Sequence, residues 1–381
     1  MKFGTNWHFT KYNVLKHGCR GDCLQNSDFV NGLSLFFMSG KKEIRKLSEA
    51  DVHACISEMG EARFRAQQVY DWLWRKGAQS FDVMSNIPIQ LRERLKQAFL
   101  INALQVNLMQ KSNDGTIKCR FQLHDGHFVE GVLIPSEGRM TACVSSQVGC
   151  NLGCRFCATG YMKTKRNLEA YEIYDQAFLL NTIAEEHYQQ RLTNIVYMGM
   201  GEPLLNYKNV LQSIERITSE TGMGMGVRRI TVSTAGIAKM IKKLADDGVK
   251  FNLALSLHAA DDVKRSALMP INDSNTLDVL VEALQYFYER TRNRITFEYI
   301  LFDGINESEA DAKHLVMLCM KTNAKVNIIE YNPIQEAGYR KSKEKQREIF
   351  IKYLEKHGVV AMIRRSRGKD IDAACGQLAN R

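Results

Sequence analysis

Four of the ten cysteines crowd into one stretch, CVSSQVGCNLGCRFC, from Cys143 to Cys157. Cys150, Cys154 and Cys157 form a C-x-x-x-C-x-x-C run, with Cys143 one strand-length upstream. Thiolates are soft ligands, suited to zinc or iron–sulfur clusters. Structural zinc takes four ligands, usually two C-x-x-C pairs or added histidines, and no such complement stands nearby. Three thiols would leave one iron of a four-iron cluster open to a small molecule. A second oddity is Glu130, which shares its strand parity with Phe128, Val132 and Ile134. A carboxylate on an apolar face is costly unless it is paired, functional or on an open edge.

The elements that must position these groups are legible from residue 139 onward. MTACVSS, LTNIVYMG, RRITVST, FNLALSL, RITFEYIL and KVNIIEY read as strands, separated by helical stretches such as AYEIYDQAFLLNTIAEE and TLDVLVEALQYFYER. Such alternation predicts an α/β fold with six parallel strands, curling toward an incomplete barrel, with VVAMIRR able to add a last strand. Sites in such folds form where strands end. The cysteine loop follows the first strand, and Gly201 and Glu202 follow the second. Ser233 ends the third, Ser256-Leu257-His258 the fourth, and Asn332 the sixth. One rim is thus expected to collect sulfur, carboxylate, hydroxyl, imidazole and amide.

Upstream, Ile117–Leu123 and His127–Ile134 flank Asp125-Gly126, a strong hairpin signal. Residues 106–138 read as a β-hairpin linker. Residues 39–105 read as a small helical accessory domain, opened by a capping-box-like Ser48-Glu-Ala-Asp51. Its aromatics suit a core, while basic residues such as Arg63, Arg65 and Lys76 make an RNA-facing surface. Residues 1–38 show no clear period and hold Cys19 and Cys23. Met38 reads as a natural start, and the segment before it as a disordered or mispredicted extension, with a short metal-binding appendage as the alternative.

The chain has 381 residues and a formal net charge of +10, so polyanions, nucleic acid first, are the favoured partners. No run of about 18 apolar residues occurs, and the start lacks a signal-peptide core. A cytoplasmic, membrane-free and reducing setting is expected, in which clustered cysteines serve as ligands or catalysts. Cys55, Cys119 and Cys319 fall within structural patterns and read as core thiols.

The cysteine run, with Phe156 before its last member, resembles the radical S-adenosylmethionine (SAM) signature. The resemblance implies a [4Fe–4S] cluster on Cys150, Cys154 and Cys157, whose open iron chelates SAM. GMGEP resembles that family's glycine–glutamate strand end, which would put Gly201 and Glu202 at the SAM ammonium. Ser233, Ser256, Leu257, His258 and Asn332 resemble further SAM contacts. Together, CVSSQVGC, MGMGEPLLN, RRITVSTAG, LSLHA and DIDAACGQL look like the RlmN/Cfr class of RNA adenosine methyltransferases, from about residue 42 to the end. GEPLLN is more similar to the RlmN branch, which methylates adenine C2, than to the C8-methylating Cfr branch.

That likeness implies further roles. Cys375 resembles the cysteine that accepts a methyl from one SAM. A second SAM yields the 5′-deoxyadenosyl radical, which removes hydrogen from that methyl. The resulting carbon adds to adenine and tethers the RNA. Cys143 resembles the thiol that releases the product through a transient disulfide with Cys375, and Glu130 the proton acceptor. The implied substrates are an adenosine of 23S rRNA, at the peptidyl transferase centre, and the tRNA adenosine 3′ to the anticodon. A flavodoxin or ferredoxin would donate electrons to a monomer. Lys163, Lys165 and Arg166, and the group Arg364, Arg365, Arg367 and Lys369, are placed to guide phosphates. Two further readings are another radical SAM activity such as sulfur insertion, and a noncatalytic RNA-binding protein with structural zinc.

Overall fold

The computed structural model describes residues 41–380, so the expected extension over 1–38, with Cys19 and Cys23, lies outside the described residues. Helix α1 (Glu49–Glu58) begins as its sequence predicts. Ser48 Oγ accepts the Asp51 N–H at 3.1 Å, and Asp51 accepts the Ser48 N–H at 3.1 Å, satisfying two amides that a helix start leaves open. Helices α2 (Arg63–Trp74) and α3 (Ile89–Ala98) follow. Val69, Tyr70, Leu73 and Trp74 point inward from α2, whereas Phe64 is exposed. Lys76 lies 4.1 Å from the centre of the half-exposed Trp72 ring.

Ten strands form one sheet: β1 (Gln105–Lys111), β2 (Ile117–Gln122), β3 (Phe128–Ser136), β4 (Arg139–Cys143), β5 (Asn194–Tyr197), β6 (Ile230–Thr234), β7 (Asn252–Ser256), β8 (Ile295–Leu301), β9 (Lys325–Glu330) and β10 (Ala361–Arg364). Their spatial order is their chain order, so the first and last are not neighbours and the barrel stays open. Strands β1 to β4 make an antiparallel meander. From β4 to β10 every pairing is parallel. The parallel part therefore has seven strands rather than six, β10 coming from VVAMIRR.

The hairpin was read correctly, with Gly126 at φ +81° in its turn, but it is not a separate linker. Strand β3 pairs with β4, the first parallel strand, which makes the hairpin part of the barrel's own sheet. Strand β1 was not anticipated. It is a sheet edge, and most of QVNLMQK is exposed on both faces, so no apolar alternation marks it.

Helices α4 (Ala170–Tyr188), α5 (Tyr207–Thr218), α6 (Ala238–Asp246), α7 (Asp262–Leu268), α8 (Leu277–Thr291), α9 (Glu309–Thr322) and α10 (Glu344–Lys356) fill the connections between parallel strands. With helices covering them, strands such as ITFEYIL in β8 are buried almost throughout, as parallel sheets require. The accessory helices close on α4, where Trp74 meets Tyr174 edge-on at 5.2 Å and Arg45 holds both Asp175 oxygens at 2.8 Å. At the C-terminal ends of the strands, Phe156 of the cysteine loop joins Met269, Ile300, Phe302, Ile329 and Tyr331 in an apolar cluster, with Cys154 and Cys157 packed on it. Burying a side chain such as Phe156 contributes about 1.5–3 kcal/mol, which fixes the loop against the barrel mouth. Among the described residues no helix is long and apolar enough to cross a membrane.

Candidate active site

After β4 the chain leaves the sheet through Ser145, whose Oγ donates to the Glu130 carbonyl at 2.5 Å and accepts the Met200 N–H at 2.8 Å. The loop then turns at Gly149, at φ +81°, where a Cβ would lie 2.5 Å from the Lys163 carbonyl oxygen. Only glycine permits that approach. Gly201, at φ +98°, is equally constrained, with a Cβ position 2.5 Å from that of Gln147. The loops after β4 and β5 are thereby pressed together, and Gln147 Oε1 accepts the Glu202 N–H at 2.8 Å.

Cys150, Cys154 and Cys157 line one cavity of about 150 Å³ together with Gly201, Glu202, Ser233, Ser256, His258 and Cys375. Burial pushes the Cys150 thiol up to about 11 and raises Cys154 and Cys157, with neighbouring cysteine sulfurs adding to each rise. Glu202 is buried but well held. Its Oε2 accepts the Ala235 N–H at 2.8 Å and its Oε1 the Leu204 N–H at 3.0 Å. Burial still raises this carboxyl, the two amides opposing it. Ser233 and Ser256 face each other at 3.4 Å. His258 adopts φ +57°, its Nδ1 accepts the Ile300 N–H at 3.1 Å, and its ring meets Phe156 edge-on at 4.6 Å. Burial, assisted by Arg265, drives it down to about 3, so the imidazole is neutral.

Not every expected rim residue faces this cavity. Leu257 is buried, and its carbonyl accepts Arg265 Nε at 3.1 Å. Asn332 donates from Nδ2 to the Cys375 carbonyl at 3.2 Å, so it holds the segment that carries Cys375.

A second cavity of about 110 Å³ adjoins the first and shares Cys157, Thr159, Met198, Arg364, Cys375 and Gly376 with it. Cys143 lines it opposite the tail that carries Cys375, although 232 residues separate the two cysteines in sequence (375 − 143). Burial pushes Cys143 up to about 12, Cys375 adding to the rise and Arg364 opposing it. Both thiols are free, and no disulfide joins the described cysteines in this structure. Cys55, Cys119 and Cys319 are buried, as expected of core thiols.

Arg364 is a correction. The sequence placed it among phosphate guides, but at the end of β10 it donates to Glu298 Oε2 at 3.2 Å and approaches Met198 Sδ at 3.3 Å. The Cys375 sulfur first, then Glu298 and Cys143, favour its positive charge, outweighing desolvation. Sequence reasoning missed Glu298, although a carboxylate inside ITFEYIL was the available signal. Arg166, another expected phosphate guide, is occupied by Glu172 at 2.7 and 2.8 Å and by Asp125.

The tail bearing Cys375 is strapped down by backbone and side-chain groups of other elements. Ala158 N–H donates to the Gly376 carbonyl at 2.7 Å, and Thr159 Oγ1 to the Leu378 carbonyl at 2.6 Å. Upstream, Asp114 accepts the Gly368 N–H at 2.9 Å, and Asp370 accepts Ser112 Oγ at 2.5 Å. At its end, Glu130 Oε2 accepts the N–H groups of Ala379 and Asn380 at 2.9 and 3.1 Å. Glu130 is therefore no open-edge residue. It is fully buried, with Lys118 Nζ 3.3 Å from Oε1. That pair is close enough to neutralise charge but is misaligned as a hydrogen bond, leaving Oε1 without a hydrogen-bond partner. Glu130 lies under the tail and is not on the wall of either cavity.

The donor set fits an iron–sulfur cluster. Three half-buried cysteines edge one cavity, and with pKa values raised by desolvation their thiolates need a bound cation to persist. Among the described residues no three His, Cys, Asp or Glu groups are placed to hold a single metal ion. A four-iron cluster takes its thiolates at separate corners, so they need not converge on one point.

Comparison with known proteins agrees with this geometry. Residues 144–316 match the model of the radical SAM superfamily, and residues 42–101 that of the ribosomal RNA large subunit methyltransferase N-terminal domain. The chain is 58% identical to a probable dual-specificity RNA methyltransferase RlmN of Cytophaga hutchinsonii, over 89% of this chain and 93% of that protein. A protein of the same description from Flavobacterium johnsoniae is 51% identical over 90% and 98%, and one from Streptococcus mutans 43% over 89% and 95%. Among solved structures, a radical SAM methyltransferase from Sphaerobacter thermophilus superposes with a TM-score of 0.85 at 39% identity, covering 89% of this chain and 100% of that one. Superfamily membership implies a [4Fe–4S] cluster and SAM. The chain belongs to the RlmN family of radical SAM methyltransferases.

Proposed function

We propose that this protein methylates C2 of adenosine in RNA, acting on 23S rRNA and on the tRNA adenosine 3′ to the anticodon. The observation that carries the reading is the pair Cys143 and Cys375, lining a cavity continuous with that of the three loop cysteines. When bound by Cys150, Cys154 and Cys157, a [4Fe–4S] cluster with SAM would supply an electrophilic methyl group and a hydrogen-abstracting radical, with two SAM consumed per turnover. Gly201, Glu202, Ser233, Ser256 and His258, which line the cavity, are the residues proposed to hold SAM, with Leu257 and Asn332 supporting its wall and the tail beside it.

The chain's own residues then divide the work. Adenine C2 lies between two ring nitrogens and is too electron-poor to take a methyl directly, whereas a thiolate does so readily. Cys375 is the proposed acceptor, and Arg364 lines both cavities with it. After Cys375 has joined its methyl carbon to the base, Glu130 takes the C2 proton. The adduct's unpaired electron passes back to the one-electron redox partner. Cys143 then attacks the Cys375 sulfur and breaks its bond to that carbon, which takes up a proton to become the methyl group, and the disulfide left behind is reduced by an external thiol. In the conformation described, Glu130 is engaged with the tail, so this role requires the strap at Ala379 and Asn380 to open first. A flavodoxin or ferredoxin is the proposed electron donor.

The test is nucleoside mass spectrometry of rRNA and tRNA from cells lacking the gene and from complemented cells. Restored 2-methyladenosine is expected in both RNAs. Finding only 8-methyladenosine would transfer the protein to the Cfr-type reaction.

A further inference from the structure

At the opposite end of the parallel strands, where they begin, the structure has an open basin of about 610 Å³. Its wall is built from separate turns. Arg228 precedes β6, Lys250 precedes β7, Arg292 and Arg294 precede β8, and Lys325 opens β9. No aspartate or glutamate lines it. The side chains of Arg228, Lys250, Arg294 and Lys325 make no ion pair or hydrogen bond to the described residues, and Arg292 lies over the Tyr288 ring at 5.4 Å.

Part of this charge has a local explanation. Helices α8 and α10 end here at Arg292 and His357, and a cation at a helix C-terminus contributes about 0.3–1 kcal/mol. The same argument does not reach Arg228, Lys250, Arg294 or Lys325, which stand outside the helices. Unneutralised like charges facing one hollow repel each other, and a polyanion relieves that repulsion. Arginine forks match phosphate oxygens, and the Tyr288 ring adds a flat apolar face of the kind that accepts a nucleobase. An acidic protein would satisfy the charge but not use that face.

We propose that the basin is a second RNA-binding surface, holding the phosphate backbone of a segment remote from the target adenosine. The seven residues of β8 alone span roughly 20 Å, so only an RNA larger than the modified loop reaches both ends. The inference rests on the RNA reading above but is measured by binding, whereas that reading is measured by the methylated nucleoside.

The experiment uses the full, cluster-loaded chain and two double variants, Arg228→Gln with Lys250→Gln and Arg294→Gln with Lys325→Gln. Fluorescence anisotropy compares a whole tRNA with its isolated anticodon stem-loop over a salt series. Each double variant is expected to weaken whole-tRNA binding by roughly 3- to 10-fold near 0.1 M salt and to flatten the salt slope by about 1–2. Stem-loop affinity and kcat at saturating RNA should stay unchanged, and Arg294→Lys with Lys325→Arg should retain whole-tRNA affinity. Unchanged tRNA affinity and slope would overturn the proposal. So would an equal loss for both RNAs accompanied by a lower unfolding midpoint, which marks a structural role. Intact RNA binding with slower reduction by an acidic flavoprotein would also overturn it, assigning the basin to a protein partner.

Discussion

The two ends of the parallel strands are opposite in kind. At the C-terminal ends, sulfur, a neutral imidazole and held carboxylates line small cavities of about 150 and 110 Å³. At the N-terminal ends, cations with no acidic neighbour face an open hollow of about 610 Å³. Radical and thiolate chemistry needs water excluded and groups fixed, so the reactive end is small and strapped over by the tail. Attraction of a polyanion needs accessible charge and tolerates water, so the basic end is wide. This hollow, larger than either reactive cavity, is thus not where the reaction is placed. Chemistry and capacity for RNA are expected to fail separately.

Substitution at the reactive end should show this most sharply. Cys375→Ala is expected to abolish methylation, a loss on the order of 10⁴-fold or more, with whole-tRNA affinity within about twofold of wild type, read by mass spectrometry and anisotropy. Loss of tRNA affinity as large as that of the basin variants would break the comparison.

Arg364→Met should slow methyl transfer to Cys375 by roughly 10- to 100-fold, because the site loses the cation that faces the Cys375 sulfur. Single-turnover methylation of the protein without RNA measures it. An unchanged rate would return Arg364 to a merely structural role.

Glu130→Gln tests the strap. Removing the carboxylate leaves the buried Lys118 unpaired, a loss of about 3–5 kcal/mol, while Lys118→Met with Glu130→Gln should recover much of it by urea denaturation. Trypsin should cut faster after Arg365, Arg367 or Lys369 in both, since the tail loses its anionic acceptor. An unaltered cleavage rate would show that Glu130 does not hold the tail.

The smallest effect is expected at Asp114. Burial alone would raise this carboxyl, but the amides of Gly368 and Thr116 outweigh it and hold it down to about 2. A carboxyl depressed in the folded state stabilises above its unfolded value near 3.8, and that contribution disappears as pH falls through about 2. Proteolysis of the tail should therefore be insensitive to Asp114→Asn below pH 2 and modestly faster in the variant at neutral pH.

What the sequence made legible follows from range. The cysteine loop and the turn at Gly126 are encoded by neighbours, so spacing and residue type were enough. The βα alternation and its open ending at VVAMIRR were equally readable. Strand β1 escaped because an edge exposed on both faces has no apolar period. Arg364 was misread because its burial depends on the tail and on Glu298, 66 residues away. Glu130 stood out as costly, but its partners at Ala379 and Asn380 lie 249 and 250 residues on. The basin was invisible because its cations come from four separate turns, and only the curling of the sheet brings them together.

The central claim is that Cys375 carries the transferred carbon to the base and that Cys143, lining the same cavity, releases it by attack on the Cys375 sulfur. The most direct test is to react cluster-loaded Cys143→Ala protein with RNA under anaerobic, reducing conditions. A denaturing gel followed by mass spectrometry of the Cys375 peptide gives the readout. The account predicts an accumulated adduct joining Cys375 to an adenosine, and little free 2-methyladenosine. Free 2-methyladenosine at the wild-type rate, with no linked peptide, would contradict it.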